Sequence, residues 1–235
     1  MERSGCRLLS EEVRRVIEAF ARQHMGAEPG HDFEHAHRVR GWALRIAEAE
    51  DYDRLDLVEA AALLHDIGLS QPRARRRHGQ TSAEMAATFL RTTGLFDEAD
   101  VDCVLSAIRF HGTNRGGSGI LLDILRDADM MEMFGPIGLL RSVTPVAHKP
   151  EYLPGNVKGE TWQMTAGEFD ERFDSGVGVG DTLVDHVNFH ISCYDNLATA
   201  TARNWAAPHV EFLKQFVLSL EQQLIERDDG QAGQS

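Results

Sequence analysis

From about residue 9 to residue 134, apolar residues return at helical spacing in one segment after another, and no stretch alternates as a strand would. A chain patterned this way folds as packed helices. In DFEHAHRVRGWALRIAEAE the stripe runs through Val39, Trp42, Ala43, Ile46 and Ala47, and His35 lies one turn before it, so this imidazole is expected to face the core. LDLVEAAALLHDIG sets Leu57, Ala61, Leu64 and His65 on one face. TSAEMAATFLRTTG points Met85, Ala86, Phe89 and Leu90 inward, with Gly94 as a C-terminal stop. DEADVDCVLSAIRFHG carries Val101, Val104, Leu105 and Ile108 on a stripe that His111 continues, and ILLDILRDADMMEMFG aligns Leu122, Leu125, Asp129 and Glu132.

Residues 142 to about 180 change character: they hold three of the seven prolines and six of the 21 glycines, with little periodicity. Irregular stretches longer than about 12 to 15 residues inside a compact domain commonly serve as lids or binding loops. We therefore expect an insertion that sets ligand choice. Helical period resumes in DTLVDHVNFHISCYDNLATATARNW and again in HVEFLKQFVLSLEQQLIE. The expected organisation is one all-α domain over residues 1–235, with a core at about 30–142, the irregular insertion at 142–180, C-terminal helices at about 181–226 and a disordered tail at 227–235.

The formal net charge of -13 excludes an extended nucleic-acid surface, which rests on lysine and arginine neutralising phosphates. One local exception is PRARRR, which groups Arg73, Arg75, Arg76 and Arg77 shortly after His65 and Asp66. The three cysteines are odd in number and lack metal-finger spacing, which suits a reducing compartment. No apolar run approaches the roughly 18 to 20 residues of a membrane span, and MERSGCRLLSEEVRR has no signal-peptide core. A cytoplasmic protein without membrane contact is expected.

The polar residues in the apolar register are the informative ones. His35, His65, His111 and Asp129 each fall there on a different helix, a coincidence of about one in sixteen if the register covers half of each helix. A group taken out of water needs a partner or a metal, and imidazoles and carboxylates converging from several helices are how bundles build metal sites. Asp66 sits about 100° around the helix from His65, so the two flank one stripe.

Three blocks carry a resemblance to a known family. HDFEHAHRV at 31–39, AALLHDIG at 61–68 and LRDADMMEMFGPIGLLRS at 125–142 resemble the motifs of the HD-domain metal-dependent phosphohydrolases, in order. ATATARNWAAPHVEFLKQF is weakly similar to the closing helices of the bacterial branch that acts on nucleotides. The resemblance implies an HD-type helical bundle in which His35, His65, Asp66 and Asp129 hold a divalent metal (Mn, Mg, Fe, Ni, Co or Zn), with Asp66 in the catalytic role. It implies hydrolysis of a nucleotide or other small phosphorylated metabolite, with no protein nucleophile.

His78 and His111 look like the ligands of a second metal in two-metal relatives, and they serve equally as phosphate contacts beside Arg76 and Arg77; one ion per chain or two remain open. Arg38 and Glu132 are further substrate-contact positions; the alternative for Arg38 is a salt bridge across the bundle, and for Glu132 a contact that supports a metal ligand, or a surface acid. HDIGL replaces the common HDIGK and no GYP motif follows, which weighs against the cyclic-dinucleotide phosphodiesterases. The six-residue set of His35, His65, Asp66, His78, His111 and Asp129 also resembles the ligands of HD-type di-iron oxygenases that act on small metabolites or phosphonates. A non-catalytic ligand-binding bundle is the third reading, and a homodimer is left open beside a monomer.

Overall fold

The computed structural model describes residues 7–26, 30–71, 77–112 and 116–231. The described residues contain helices, short turns and one isolated bridge, Leu153 to Asn156, as expected of an all-α chain. They fall into two compact units, residues 1–132 with 197–202, and residues 133–196 with 203–235. None of their helices is long and apolar enough to cross a membrane.

The first unit is built from α1 (Glu11–His24), α2 (Phe33–Ala49), α3 (Leu55–Leu64), α4 (His78–Thr93), α5 (Glu98–Phe110) and α6 (Ile120–Met131). All ten residues of α3 are buried, not one face alone. A helix apolar on every side packs in the middle of a bundle, and α3 packs against α1, α2, α4, α5 and α6. Leu55, Leu63, Leu64, Ile46, Leu90, Ile108, Ile124 and Leu125 are among its largest fully buried side chains and neighbours; each such side chain contributes roughly 1.5–3 kcal/mol by leaving water.

Two acids on α3 are buried with partners. Glu59 accepts the Leu9 N–H at 3.0 Å and Arg40 Nε at 2.7 Å. Asp56 pairs with Arg7 at 3.0 Å and Arg54 at 3.1 Å. Gly94 closes α4 in the left-handed conformation at the expected place.

In the second unit, α7 (Gly135–Val143) leads through a 3-10 turn over Thr144–Val146 into the segment read as an irregular insertion, which contains α8 (Ala166–Asp174). The insertion thus holds one short helix within an otherwise irregular course. Its order comes from polar anchoring: buried Asp185, near the start of α9 (Leu183–Ser192), accepts the Thr161 N–H at 3.2 Å and hydroxyl at 2.8 Å and the Thr182 N–H at 3.0 Å. Val184, Val187, Leu213 and Val217 form the apolar core of this unit, with Trp162 and Ile191 packed on it.

Two further boundaries depart from the expected ones. The segment 181–205 is broken by a 3-10 turn at Cys193–Asn196, whereas α10 (Ala200–Gln231) runs through Pro208 and past residue 226. So 227–231 are helical where a disordered tail is expected, and 232–235 lie outside the described residues. The break is set by tertiary contact within the first unit: Asp127 accepts the Ala198 N–H at 2.7 Å and the Thr199 N–H at 2.8 Å, and Thr199 Oγ1 then accepts the Ala202 N–H at 3.0 Å.

Candidate metal centre

His65 and Asp66 sit just beyond the last turn of α3, His65 as its C-cap and Asp66 in the turn that follows. They are thus at the end of an apolar helix, not inside it. There the main chain leaves its regular ladder and side chains gain room to converge. His65 Nδ1–H donates to the Ala62 carbonyl at 2.7 Å, which leaves Nε2 free to face the cluster. His111, the C-cap of α5, repeats the device, donating Nδ1–H to the Ile108 carbonyl at 2.7 Å.

Asp66 is the hub and is 3% exposed. Its Oδ2 lies 3.0 Å from His31 Nδ1, 3.4 Å from His65 Nε2 and 3.6 Å from His35 Nε2. Its Oδ1 faces His111 Nε2 at 3.4 Å and His78 Nε2 at 3.7 Å. Part-exposed Asp129, on the inner face of α6, brings Oδ1 to 3.3 Å from His35 Nε2 and 4.0 Å from His65 Nε2. The four residues of the implied ligand set therefore meet in one place.

Behind His35, buried Glu132 stands 3.6 Å from Nδ1 and accepts Arg38 Nε at 2.6 Å. The two positions read as substrate contacts thus form a salt bridge across the bundle that backs a ligand. His78 opens α4, and its Nε2 lies 3.2 Å from that of His111. Gly79 makes this possible, because a Cβ there would meet the Arg109 carbonyl oxygen at 2.7 Å and the Ile108 carbonyl oxygen at 2.9 Å. Arg77 is exposed and donates to Gln80 Oε1 at 2.8 Å. Arg73, Arg75 and Arg76 lie outside the described residues.

The cluster is electrostatically unusual. Burial disfavours a charged His65, but the Asp66 charge and hydrogen bond and then Asp129 outweigh it and push the imidazole up to about 9. Burial also works against an ionised Asp66, yet the His65 charge and the facing His111, His31 and His65 imidazoles hold it well below the usual carboxylate range. Glu132 is held down in the same way, its burial outweighed by His35 and Arg38.

The donor set fits a divalent ion. Three groups, His31 with His35 and Asp66, His35 with His65 and Asp129, and His65 with Asp66 and His111, each place ligand atoms within 4.8 Å of one another. Asp66 Oδ1 is buried with no hydrogen-bond partner. Such a group is costly to leave unmet, and a cation is the natural partner for a carboxylate oxygen ringed by imidazole nitrogens. His31 is the member that the sequence reading left without a role; its signal was its position four residues before His35.

Residues 32–133 match the model of the HD-domain family. Among solved structures, the chain is similar to Bacillus subtilis YpgQ in complex with ADP, at 25% identity over 90% of this chain and 95% of that one, with a TM-score of 0.62. It is likewise similar to a predicted HD superfamily hydrolase from an uncultured Thermotogales bacterium, at 25% identity over 89% of this chain and 91% of that one, with a TM-score of 0.59. An HD-superfamily hydrolase from Bacillus thuringiensis shares the fold at 20% identity, 90% and 96% coverage and a TM-score of 0.66. No protein of curated function matches the sequence. The chain thus has the fold of the HD-superfamily hydrolases.

Proposed function

We propose that this protein is a metal-dependent phosphohydrolase acting on a nucleotide or another small phosphorylated metabolite. The observation that carries the reading is the convergence of His35, His65, Asp66 and Asp129, with Asp66 Oδ1 buried and without a hydrogen-bond partner. These four side chains would hold the ion. The chemistry supplied on its binding is Lewis acidity, which lowers the pKa of a coordinated water and polarises a phosphoryl oxygen.

The chain's own residues do the rest by orientation. The Ala62 and Ile108 carbonyls fix the imidazoles of His65 and His111 with Nε2 inward. Glu132, held by Arg38, does the same for His35. Arg77, on the exposed start of α4, supplies a cationic contact for a phosphate. The ADP held by the similar YpgQ supports a nucleotide as the substrate class.

Release of phosphate or pyrophosphate from a nucleotide panel, with Mn, Mg, Co, Ni, Zn or Fe(II) added, tests the reading. Asp66→Ala should lower turnover by about a thousandfold, on the scale of the several kcal/mol such centres supply. An unchanged rate would sink it.

A second reading rests on His78 and His111, which stand across Asp66 Oδ1 and complete a six-residue set. That set suits an HD-type di-iron oxygenase. Two irons per chain with substrate-dependent oxygen uptake would favour it, and metal-dependent phosphate release without oxygen uptake would favour the hydrolase.

A further inference from the structure

We infer that His31 is a positioning residue of the metal centre, its Nδ1–H holding Asp66 Oδ2 so that the carboxylate keeps its aim at the ion. This rests on the metal-centre reading above. Asp66 belongs to the turn after α3, so no helical ladder fixes its orientation. The imidazoles of His65 and His35 stand 3.4 and 3.6 Å from Oδ2, whereas His31 Nδ1 is at 3.0 Å. Among these three contacts, His31 is the one at ordinary hydrogen-bond length.

The placement of His31 is built into its own segment. Asp32 caps α2 by accepting the His35 N–H at 2.9 Å, which fixes the first turn of that helix. His31 then lies just outside the helix, edge-on to His35 with ring centroids 5.7 Å apart. A carboxylate oxygen has two lone pairs, so one can accept His31 N–H while the other faces a cation. Hydrogen bonds to metal ligands of this kind commonly contribute 10- to 100-fold in affinity. At 34% side-chain exposure, His31 is also poorly placed to act as a core packing residue.

The test is Co2+ affinity, by chelator competition, for the full-length wild type and the His31→Ala, His31→Asn and His31→Gln variants, together with the visible spectrum of bound Co2+. We expect His31→Ala to weaken binding about 10- to 100-fold. His31→Asn should restore most of it, because its amide nitrogen falls near the position of Nδ1, and His31→Gln should not. Band positions should match wild type in every variant, since the ligand set is unchanged.

Unchanged affinity in His31→Ala overturns the inference, as does His31→Asn binding as weakly as His31→Ala. A shifted Co2+ spectrum overturns it too, by making His31 a direct ligand. If His31→Ala fails to fold, the contrast between Asn and Gln decides alone. Wild-type protein that binds no Co2+ would instead remove the metal-centre reading itself, a result that requires no His31 variant.

Discussion

The Glu132 carboxylate accepts Arg38 Nε at 2.6 Å, and the same oxygen stands 3.6 Å from His35 Nδ1. Arg38 thereby holds the acid that holds the ligand. Glu132→Ala should weaken metal binding by about 10- to 100-fold, the usual effect of removing a group that orients a ligating histidine. Competition with a fluorescent chelator measures this, and affinity within twofold of wild type would show that His35 is oriented without Glu132.

Asp127 and Asp129 are two residues apart with separate tasks. Asp127→Ala strips the acceptor from the Ala198 and Thr199 amides and should cost about 2–4 kcal/mol in urea unfolding, as lost charged hydrogen bonds do. It should leave the number of ions per chain unchanged. Asp129→Ala should do the reverse, losing the ion with a smaller effect on apo stability.

Adding the ion should raise the melting temperature in proportion to the logarithm of its concentration, because it binds the folded chain. An ion present at 100 times its Kd stabilises by about 2.7 kcal/mol. EDTA should abolish the increase, and Asp66→Ala should not show it. A melting temperature indifferent to every ion would contradict the metal centre.

Gly79→Ala places a methyl group against the Arg109 and Ile108 carbonyl oxygens. Separating α4 from α5 should cost about 1–3 kcal/mol, the range for overpacking. It should also draw His78 from His111, so any second ion should be lost before the first. Metal stoichiometry measured alongside unfolding checks both parts.

His190 is buried, and its Nδ1 lies 3.0 Å from the Met133 carbonyl. Burial lowers its pKa to about 4, opposed in part by that hydrogen bond. The unfolded chain, with an ordinary value near 6.5, binds this proton more readily than the folded one. Its contribution is therefore complete above about pH 6.5 and declines as pH falls toward 4, by roughly 3 kcal/mol in total. His190→Asn should flatten the stability profile in that window when unfolding is followed at several pH values.

The helices of the first unit, and the inward facing of His35, His65, His111 and Asp129 toward one region, were legible because apolar period and polar exceptions are both local in sequence. Other features were not. The full burial of α3 depends on neighbours on every side, and Glu59 and Asp56 are tolerated there because Arg40 and Arg7 arrive from elsewhere in the chain and join Arg54 at the start of the helix. The break before α10 is non-local in the same way: the helix runs through Pro208, and it begins at Ala200, just after Asp127 captures the amides of Ala198 and Thr199.

Spacing along one helix at a time is enough to make this chain a helical bundle and to single out the imidazoles and carboxylates that lack an apolar reason to face inward. Packing in three dimensions is what makes Asp66 the hub, brings His31 to it, sets Glu132 behind His35 and anchors 142–180 on Asp185. Those relations join residues 24 to 97 positions apart, and a hydrogen bond between such residues exists only once packing has brought them within about 3 Å.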